Sequence, residues 1–487
     1  MRNKLLNLLS EKGTLIEPEA ASYILKQDDP LSYAEDLLMQ FHEAPFVLTM
    51  ERIAKAEGIA TYAARKAKPK PVPLSKPPKT KTRDVGFTAK DCDSDIRILK
   101  DITGNSTCQG SIEDFHCHFK HRFQELSEIL KQKKQLRGCE DIAKAKRMMR
   151  EVRFVCMVDN VKKTRAGHPI LQVEDETDTA SVLIPSSMHL NDFVADEVLG
   201  IVGNTRKDDL IIADRVFRPD IPPRRRFNEA DVPVSVAFLG DIHVGSKTFL
   251  SDRWEKFVEW LCDSDDLARR VKYVVMPGDT VDGIGIYPGQ DEDLDIDDIY
   301  EQYERLAHQL SEFPDHVEVI IQPGNHDAVR PAEPQPALPS EIRRVFPDNV
   351  TFVGNPCLLS LHGVEILTYH GRSLDDFVAA FPGVSYERPL TGMKEMLIRR
   401  HLAPKYGGKT PIAPEREDYL VIDRVPDVFV TGHVHWAGIE EYKGVIMINC
   451  STWQSQTTYQ RMHNMNPLPC RVPIVNLESG AYTMLEF

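Results

Sequence analysis

The spacing of apolar residues changes several times along this chain, and each change predicts a different kind of element. Up to about residue 64 the period is helical: Leu5, Leu6, Leu8 and Leu9 suit one amphipathic pair of turns, and Ala20–Leu25 and Tyr33–Phe41 suit two more. Residues 64–83, ARKAKPKPVPLSKPPKTKTR, contain no acidic residue and alternate Lys or Arg with Pro, so no core can form there. That predicts an extended basic linker, taken as 65–89, acting as a solvated tether or as a contact for nucleic acid or an acidic partner. Residues 90–150 predict a helical connector, with Phe115, Phe119, Phe123, Leu126 and Leu130 on one stripe. His116, Cys117, His118 and His121 fall inside it but match no closed four-ligand zinc spacing, and they read as structural.

Over 151–222 the period shortens. VRFVCMV, ILQVED, ASVLIP, VLGIVGN and DLIIADRVF are five short runs divided by turn residues, as in a small closed barrel such as an oligonucleotide-binding fold. Phe154 and Phe217 are the only aromatic residues in these five runs, so a structural or interface barrel is expected at least as much as a strand-binding one. From Val232 to Phe487 apolar strands alternate with helical stretches, the pattern of a layered domain. The fold class expected is multidomain α+β: an N-terminal helical unit over 1–64, the linker, the connector, the barrel and a layered domain over 232–487.

Composition adds limits. A chain of 487 residues with 41% hydrophobic content suits two to four domains. The net charge of −14 argues against coating DNA unaided, although bound divalent cations would invert the local charge of a site. Nine Cys without a Cys-x-x-Cys predict reduced thiols in a cytoplasmic protein. MRNKLLNLLSEKG has too short an apolar run for a signal peptide, and no stretch suggests a membrane span. The acidic run QDEDLDIDD (290–298) lacks the Gly and closing Glu of a calcium loop and predicts a solvated loop or a helix start.

Five strings carry the chemistry: Asp241-Ile-His243, Gly278-Asp279-Thr-Val-Asp282, Gly324-Asn325-His326-Asp327, Tyr369-His370-Gly371 and Gly432-His433-Val-His435. Each follows an apolar run at once: VPVSVAFLG, KYVVMPG, VEVIIQPG, VEILTY and VPDVFVTG. Layered sheets bind ligands beyond the carboxyl ends of their strands, so the strings can meet on one rim. Imidazole mixed with carboxylate suits manganese, zinc or iron better than a magnesium or calcium cage. Two ions bridged by one ligand can activate water and steady both oxygens of an in-line displacement, and Asp279 on its Pro-Gly turn is the candidate bridge.

The five strings in this order resemble the calcineurin-like metallophosphoesterase superfamily over residues 232–487, which implies a two-sheet β-sandwich flanked by helices. By that resemblance one metal takes Asp241, His243, Asp279 and His435, and the second takes Asp279, Asn325, His370 and His433. His326 protonates the leaving oxygen and Asp282 orients it. Arg330 and Arg372 are candidates for phosphate or DNA contact, or for pairing with structural carboxylates. The runs GNHDAVRPAEPQPALP (324–339), GIYPGQ…IDDIYEQYE and TWQSQTTYQRMHNMNPLP (452–469), with the domain order, are similar to the small subunits of archaeal family-D DNA polymerases. This resemblance implies a 3′→5′ proofreading exodeoxyribonuclease on single-stranded or primer–template DNA, using two divalent ions, manganese first among zinc, iron and magnesium. It also implies a large catalytic subunit as partner, with the barrel and the Trp453–Tyr459 segment as docking surfaces. Related eukaryotic subunits have degraded ligands, whereas every ligand position here is filled.

Two other classes remain. A phosphatase or cyclic-nucleotide phosphodiesterase would use the same metals but needs neither barrel nor linker. A non-catalytic assembly subunit would not need the ligands.

Overall fold

The long apolar runs of the C-terminal half become strands covered on both faces, which is why they read as continuous rather than alternating. In the computed structural model, Val236, Phe238, Tyr273 and Val275 point into a core between two sheets, while their neighbours Ala237, Val274 and Met276 point into a second core under helices. The structure describes residues 2–487 except 13, 17, 28, 42–46, 57–87, 149, 165–166, 186, 207–209, 224–225, 264 and 463–464. The basic linker expected at 65–89 therefore lies almost wholly outside the described residues.

One six-stranded sheet runs Val350–Phe352, Glu318–Gln322, Val271–Pro277, Ser235–Phe238, Arg471–Asn476, Tyr482–Glu486. Its first four strands are parallel. The other runs Gly438–Tyr442, Val445–Asn449, Val428–Thr431, Val364–Thr368, Cys357–Leu361, Ile96–Asp101. Helices Ser251–Leu261 and Ile299–Leu310 cover the first sheet, and Leu374–Ala380 and Pro389–Arg399 cover the second. Asp298 of the acidic run caps the second of these helices, accepting from Tyr300 and Glu301 N–H. The layering is helix, sheet, sheet, helix.

The last strand of the second sheet corrects the reading of 90–150 as helical. Ile96–Asp101 pairs antiparallel with Cys357–Leu361, although the whole barrel lies between them in the chain. Its β-branched and leucine residues suit an edge, and a six-residue run is too short to show a decisive period. The stretch from 232 onward is thus completed by residues that precede the barrel.

The barrel itself closes with five strands, Glu151–Lys163, Pro169–Glu174, Thr179–Leu183, Val198–Thr205 and Leu210–Phe217, at the places the short period predicts. Phe154 is fully buried in it, and Arg215 lies over Phe217 at 5.7 Å. Glu197 fastens the barrel to the layered domain, flanked by Arg218 of the barrel's end and Arg399 of a covering helix. The N-terminal helices Arg2–Glu11, Pro18–Ile24, Pro30–Met39 and Met50–Ala56 share their own core of Leu5, Leu9, Ile24, Leu37 and Ile53. All nine cysteines are free thiols.

Helix Ile112–Lys131 departs from its apolar stripe. Phe115, Phe119 and Phe123 are only half-buried, while His118 and Arg122 are buried with Leu126 and Leu130. The reason is a buried ion pair: Arg122 Nε donates to Asp418 at 2.7 Å and its Nη1 to Pro404 O at 2.6 Å. His401 Nε2 meets the same carboxylate at 2.9 Å, and Phe119 packs beneath the guanidinium at 5.0 Å. Within the His116–His121 stretch, His118 and His121 both serve the Asp418 loop. Trp453 is also a core residue, edge-on to Trp254 at 5.1 Å, so it is withdrawn from the docking role expected of the Trp453–Tyr459 segment.

Burial and Arg122 push His401 down to about 4, while the charges around Asp418 outweigh its burial and hold its carboxyl well below the usual range. An unfolded imidazole titrates near ~6.5. Between about pH 6.5 and about pH 4 the unfolded chain binds a proton that the fold refuses, so stability is full above that window and falls through it. Asp418 adds a further loss at lower pH. Two outcomes are expected in urea unfolding. The midpoint declines from pH 7 to pH 5, less so in His401→Gln; and Arg122→Met, by stranding Asp418, loses about 3–5 kcal/mol at pH 7.

Candidate metal centre

Asp241, His243, Asp279, His433 and His435 all have φ between 50° and 70°. Non-glycine residues rarely enter this left-handed region, and an observed cluster of them points to a functional constraint. Each sits just past the end of a parallel strand, where the chain must turn and aim its side chain back over the sheet edge. The turns lock one another: Asp241 N–H donates to Gly278 O (3.1 Å), His243 N–H to Asp279 O (3.1 Å) and Gly432 N–H to His370 O (2.8 Å). Gly324 is required by proximity, since a Cβ there would lie 2.3 Å from Asp279 Oδ1 and 2.8 Å from His370 Cε1.

The sequence-predicted ligands converge. Asp279 spends Oδ1 on the His326 N–H at 2.8 Å. Its Oδ2 then faces three rings, 3.3 Å from His370 Nε2 and 4.0 Å from both His243 Nε2 and His326 Nε2. His370 Nδ1 donates to Pro277 O (3.0 Å), which leaves Nε2 to face Asp279 and Asn325 Oδ1 (3.0 Å). His243 Nδ1 donates to Asp282 Oδ1 (3.0 Å), which leaves its Nε2 3.0 Å from His435 Nε2. His435 Nε2 is also 3.6 Å from Asp241 Oδ1. His433 closes the second group with Asp279 and His370, all ligand atoms lying within 4.8 Å.

Nitrogen lone pairs and carboxylate oxygens aimed at shared points fit a divalent cation. Burial raises the Asp241 carboxyl to about 7. Burial opposes a charge on His370, yet the Asp279 carboxylate pushes that imidazole up to about 9. A third grouping, His243–Asp282–His326, contains the hydrogen bond between His243 Nδ1 and Asp282 Oδ1.

Three expectations need correction. The Asp282 carboxylate does not orient His326; it grips His243 and is itself held by Gln290 (3.0 Å) and Gln454 (2.9 Å). His326 is oriented instead by the Asp282 main-chain carbonyl, 2.8 Å from its Nδ1, which turns Nε2 to the cleft. Arg330 is occupied by structure: it donates to Glu415 Oε1 and Ser106 Oγ, both at 2.8 Å, and to Pro334 O. Arg372 donates to Pro331 O at 2.9 Å and does not line the cleft.

Several participants escaped the sequence reading. Asp327 ties the second and third turns together, accepting from Thr280 Oγ1 (2.7 Å), Gly324 N–H (2.8 Å) and Tyr303 Oη (3.0 Å). Gln460 reaches His435 Nδ1 at 2.8 Å. Asp375 Oδ2 lies 3.6 Å from His433 Nε2, with its carboxyl at about 2 because His433, the Tyr386 hydroxyl and Lys409 outweigh burial. The GNHD string held a signal for Asp327; nothing local marks Gln460 or Asp375, whose neighbours are ordinary. Gln460 and Asp375 line, with His243, Asp279, His326, His433 and His435, a cleft of about 320 Å³.

A two-sheet sandwich with such a donor set at the ends of its parallel strands offers a centre for divalent metal. Comparison with known proteins narrows the class. Residues 236–436 match the family of DNA polymerase alpha/epsilon B subunits. The DNA polymerase II small subunit of Methanocaldococcus jannaschii is 45% identical, over 82% of this chain and 70% of the relative. That of Archaeoglobus fulgidus is 41% identical over 95% and 93%, and that of Methanothermobacter thermautotrophicus 37% over the full length of both. The chain belongs to the DNA polymerase II small subunit family. Among solved structures, one described as a novel archaeal phosphodiesterase is 12% identical over 52% of this chain and all of the other, with a TM-score of 0.27, a likeness too distant to carry any argument.

Two substitutions test the geometry. Gly324→Ala forces Asp279 and His370 apart and is expected to abolish stoichiometric manganese binding in calorimetric titration while far-ultraviolet dichroism is retained. Asp282→Asn, which frees the His243 ring, is expected to weaken metal affinity about 10–100-fold.

Proposed function

We propose that this chain is the exonucleolytic small subunit of a replicative archaeal DNA polymerase, removing nucleotides from the 3′ end of single-stranded DNA by two-metal phosphodiester hydrolysis. The observation that carries the reading is the single oxygen Asp279 Oδ2, placed between His370 on one side and His243 on the other. One ion would be held by Asp241, His243, Asp279 and His435, the other by Asp279, Asn325, His370 and His433. The mixed donors favour manganese, zinc or iron. When bound, such ions supply polarisation of the phosphate and activation of water.

The chain's own residues supply the remainder. Asp282 fixes the His243 ring through Nδ1, and Pro277 fixes that of His370 in the same way. His326 has its Nδ1–H committed to Asp282 O, so only Nε2 can exchange a proton in the cleft, and it delivers that proton to the leaving oxygen. Family membership supports a large polymerase subunit as partner. The barrel, whose third and fifth strands pair in parallel and whose first and fourth strands close it, is read as an oligonucleotide-binding fold used for docking, because its aromatic residues are buried or covered. No described helix is long and apolar enough to cross a membrane.

The test is 5′-labelled single-stranded DNA with manganese, set beside a phosphoprotein and a cyclic nucleotide. The labelled strand is expected to shorten from its 3′ end. Asp279→Asn abolishes this along with metal binding, and His326→Ala lowers kcat about 10²–10⁴-fold while metal content is kept. Unchanged shortening by Asp279→Asn would remove the reading.

A further inference from the structure

The ligand residues explain only the floor of the cleft. Tyr287, Tyr386 and Lys409 also line it, and among the described residues Lys409 is its one Lys or Arg. A phosphodiester strand approaching Asp279, Asp282 and Asp375 needs such a cation, and Arg330 is engaged elsewhere. The loop bearing Lys409 is held in place. The Asp376 carboxylate accepts from Lys409 N–H (2.6 Å), Thr410 N–H (3.0 Å) and Thr410 Oγ1 (2.7 Å). The backbone approaches so closely that a Cβ on Gly408 would lie 2.3 Å from Asp376 Oδ1. The preceding residue, Asp375, faces His433. One short helix, Leu374–Ala380, therefore connects the ligand cluster to the cationic loop.

Tyr386 stands where the cleft meets a second hollow of about 180 Å³; it borders both, as do Val434, Gln460 and Met465. Its hydroxyl is bound by Asp375, so the ring is fixed at the junction. The cleft is near the lower end of the roughly 300–1,000 Å³ of ligand pockets. It takes about one nucleotide, and a paired end cannot enter without unstacking.

We propose that Tyr386 and Lys409 are the substrate-recognition wall of this cleft, Lys409 meeting a backbone phosphate and Tyr386 stacking on a base, so that it selects an unpaired DNA end. This rests on the phosphodiesterase reading. The strand enters through the side hollow, passes the ring of Tyr386 and lays its terminal phosphodiester over the ligand cluster. Aromatic stacking tolerates any base, so the wall reads strandedness and not sequence.

The experiment measures binding of a fluorescent phosphorothioate octathymidylate to the full-length chain with manganese, across a range of salt, and hydrolysis of bis(p-nitrophenyl) phosphate. Tyr386→Leu is expected to weaken strand binding about tenfold or more. Tyr386→Phe, which keeps the ring and loses only the Asp375 bond, stays within about threefold. Lys409→Gln weakens binding and lowers the slope of log affinity against log salt by about 0.7. For both Tyr386→Leu and Lys409→Gln the loss on the strand exceeds any loss on the small diester by about tenfold. A blunt duplex of the same length competes at least about tenfold more weakly. Wild-type-like binding by Tyr386→Leu, an unchanged salt slope in Lys409→Gln, or equal competition by the duplex overturns the proposal. Failure of the wild type to hydrolyse the small diester overturns instead the phosphodiesterase reading, and the strand-binding arm still decides the role of the wall.

Discussion

One carboxylate oxygen must satisfy two groups of imidazoles at once, and the architecture around it follows from that demand. Asp279 Oδ2 lies at 3.3 Å from one ring and 4.0 Å from another, on a side chain that is almost wholly buried. Holding it there requires a left-handed backbone at Asp279, a glycine at 324 to clear its other oxygen, and the buried Asp327 to bind the two turns together. Each is unfavourable or highly specific alone. They persist because two sheets, packed face to face, fix the strand ends from which the turns depart.

The same demand explains why so much of the site could be read in the sequence. A polar side chain that must stand at a strand end leaves an apolar run followed at once by Asp, Asn or His, and all five runs do so. The barrel was equally legible, since five short runs between turn residues have few other solutions. What failed depended on partners distant in sequence. Asp282 was assigned to the histidine it faces in the family pattern, but the choice between His243 and His326 is made by Gln290 and Gln454, the latter 172 residues away. The Phe115–Phe119–Phe123 stripe lost to His118 and Arg122 because Asp418 waits on the other side. Arg330 looked available until Glu415 was in place.

Electrostatics ties these departures together. Arg122 with Asp418, Arg330 with Glu415, and Arg399 and Arg218 with Glu197 each join segments far apart in the chain. Buried pairs of this sort add little net stability over apolar packing, yet leave a heavy penalty if mismatched. Their role is to settle which surface meets which, so that the helix Ile112–Lys131 and the barrel take one position against the layered domain. The cleft's own cation, Lys409, acts instead on Asp375, beside the ligand cluster.

The strand Ile96–Asp101 gives the arrangement a direction in time. It emerges from the ribosome before the barrel, but its partner Cys357–Leu361 is made only after more than half of the chain has followed. The barrel, whose pairings are all internal, can close while that strand waits. The layered domain, by contrast, is sealed by a segment that was synthesised first. A fragment starting after the barrel would expose the backbone of Cys357–Leu361 as an open sheet edge, the kind of surface on which chains pair with one another. The barrel is therefore flanked in the chain by Ile96–Asp101 of one sheet and Ser235–Phe238 of the other, more an inserted module than a bead on a string.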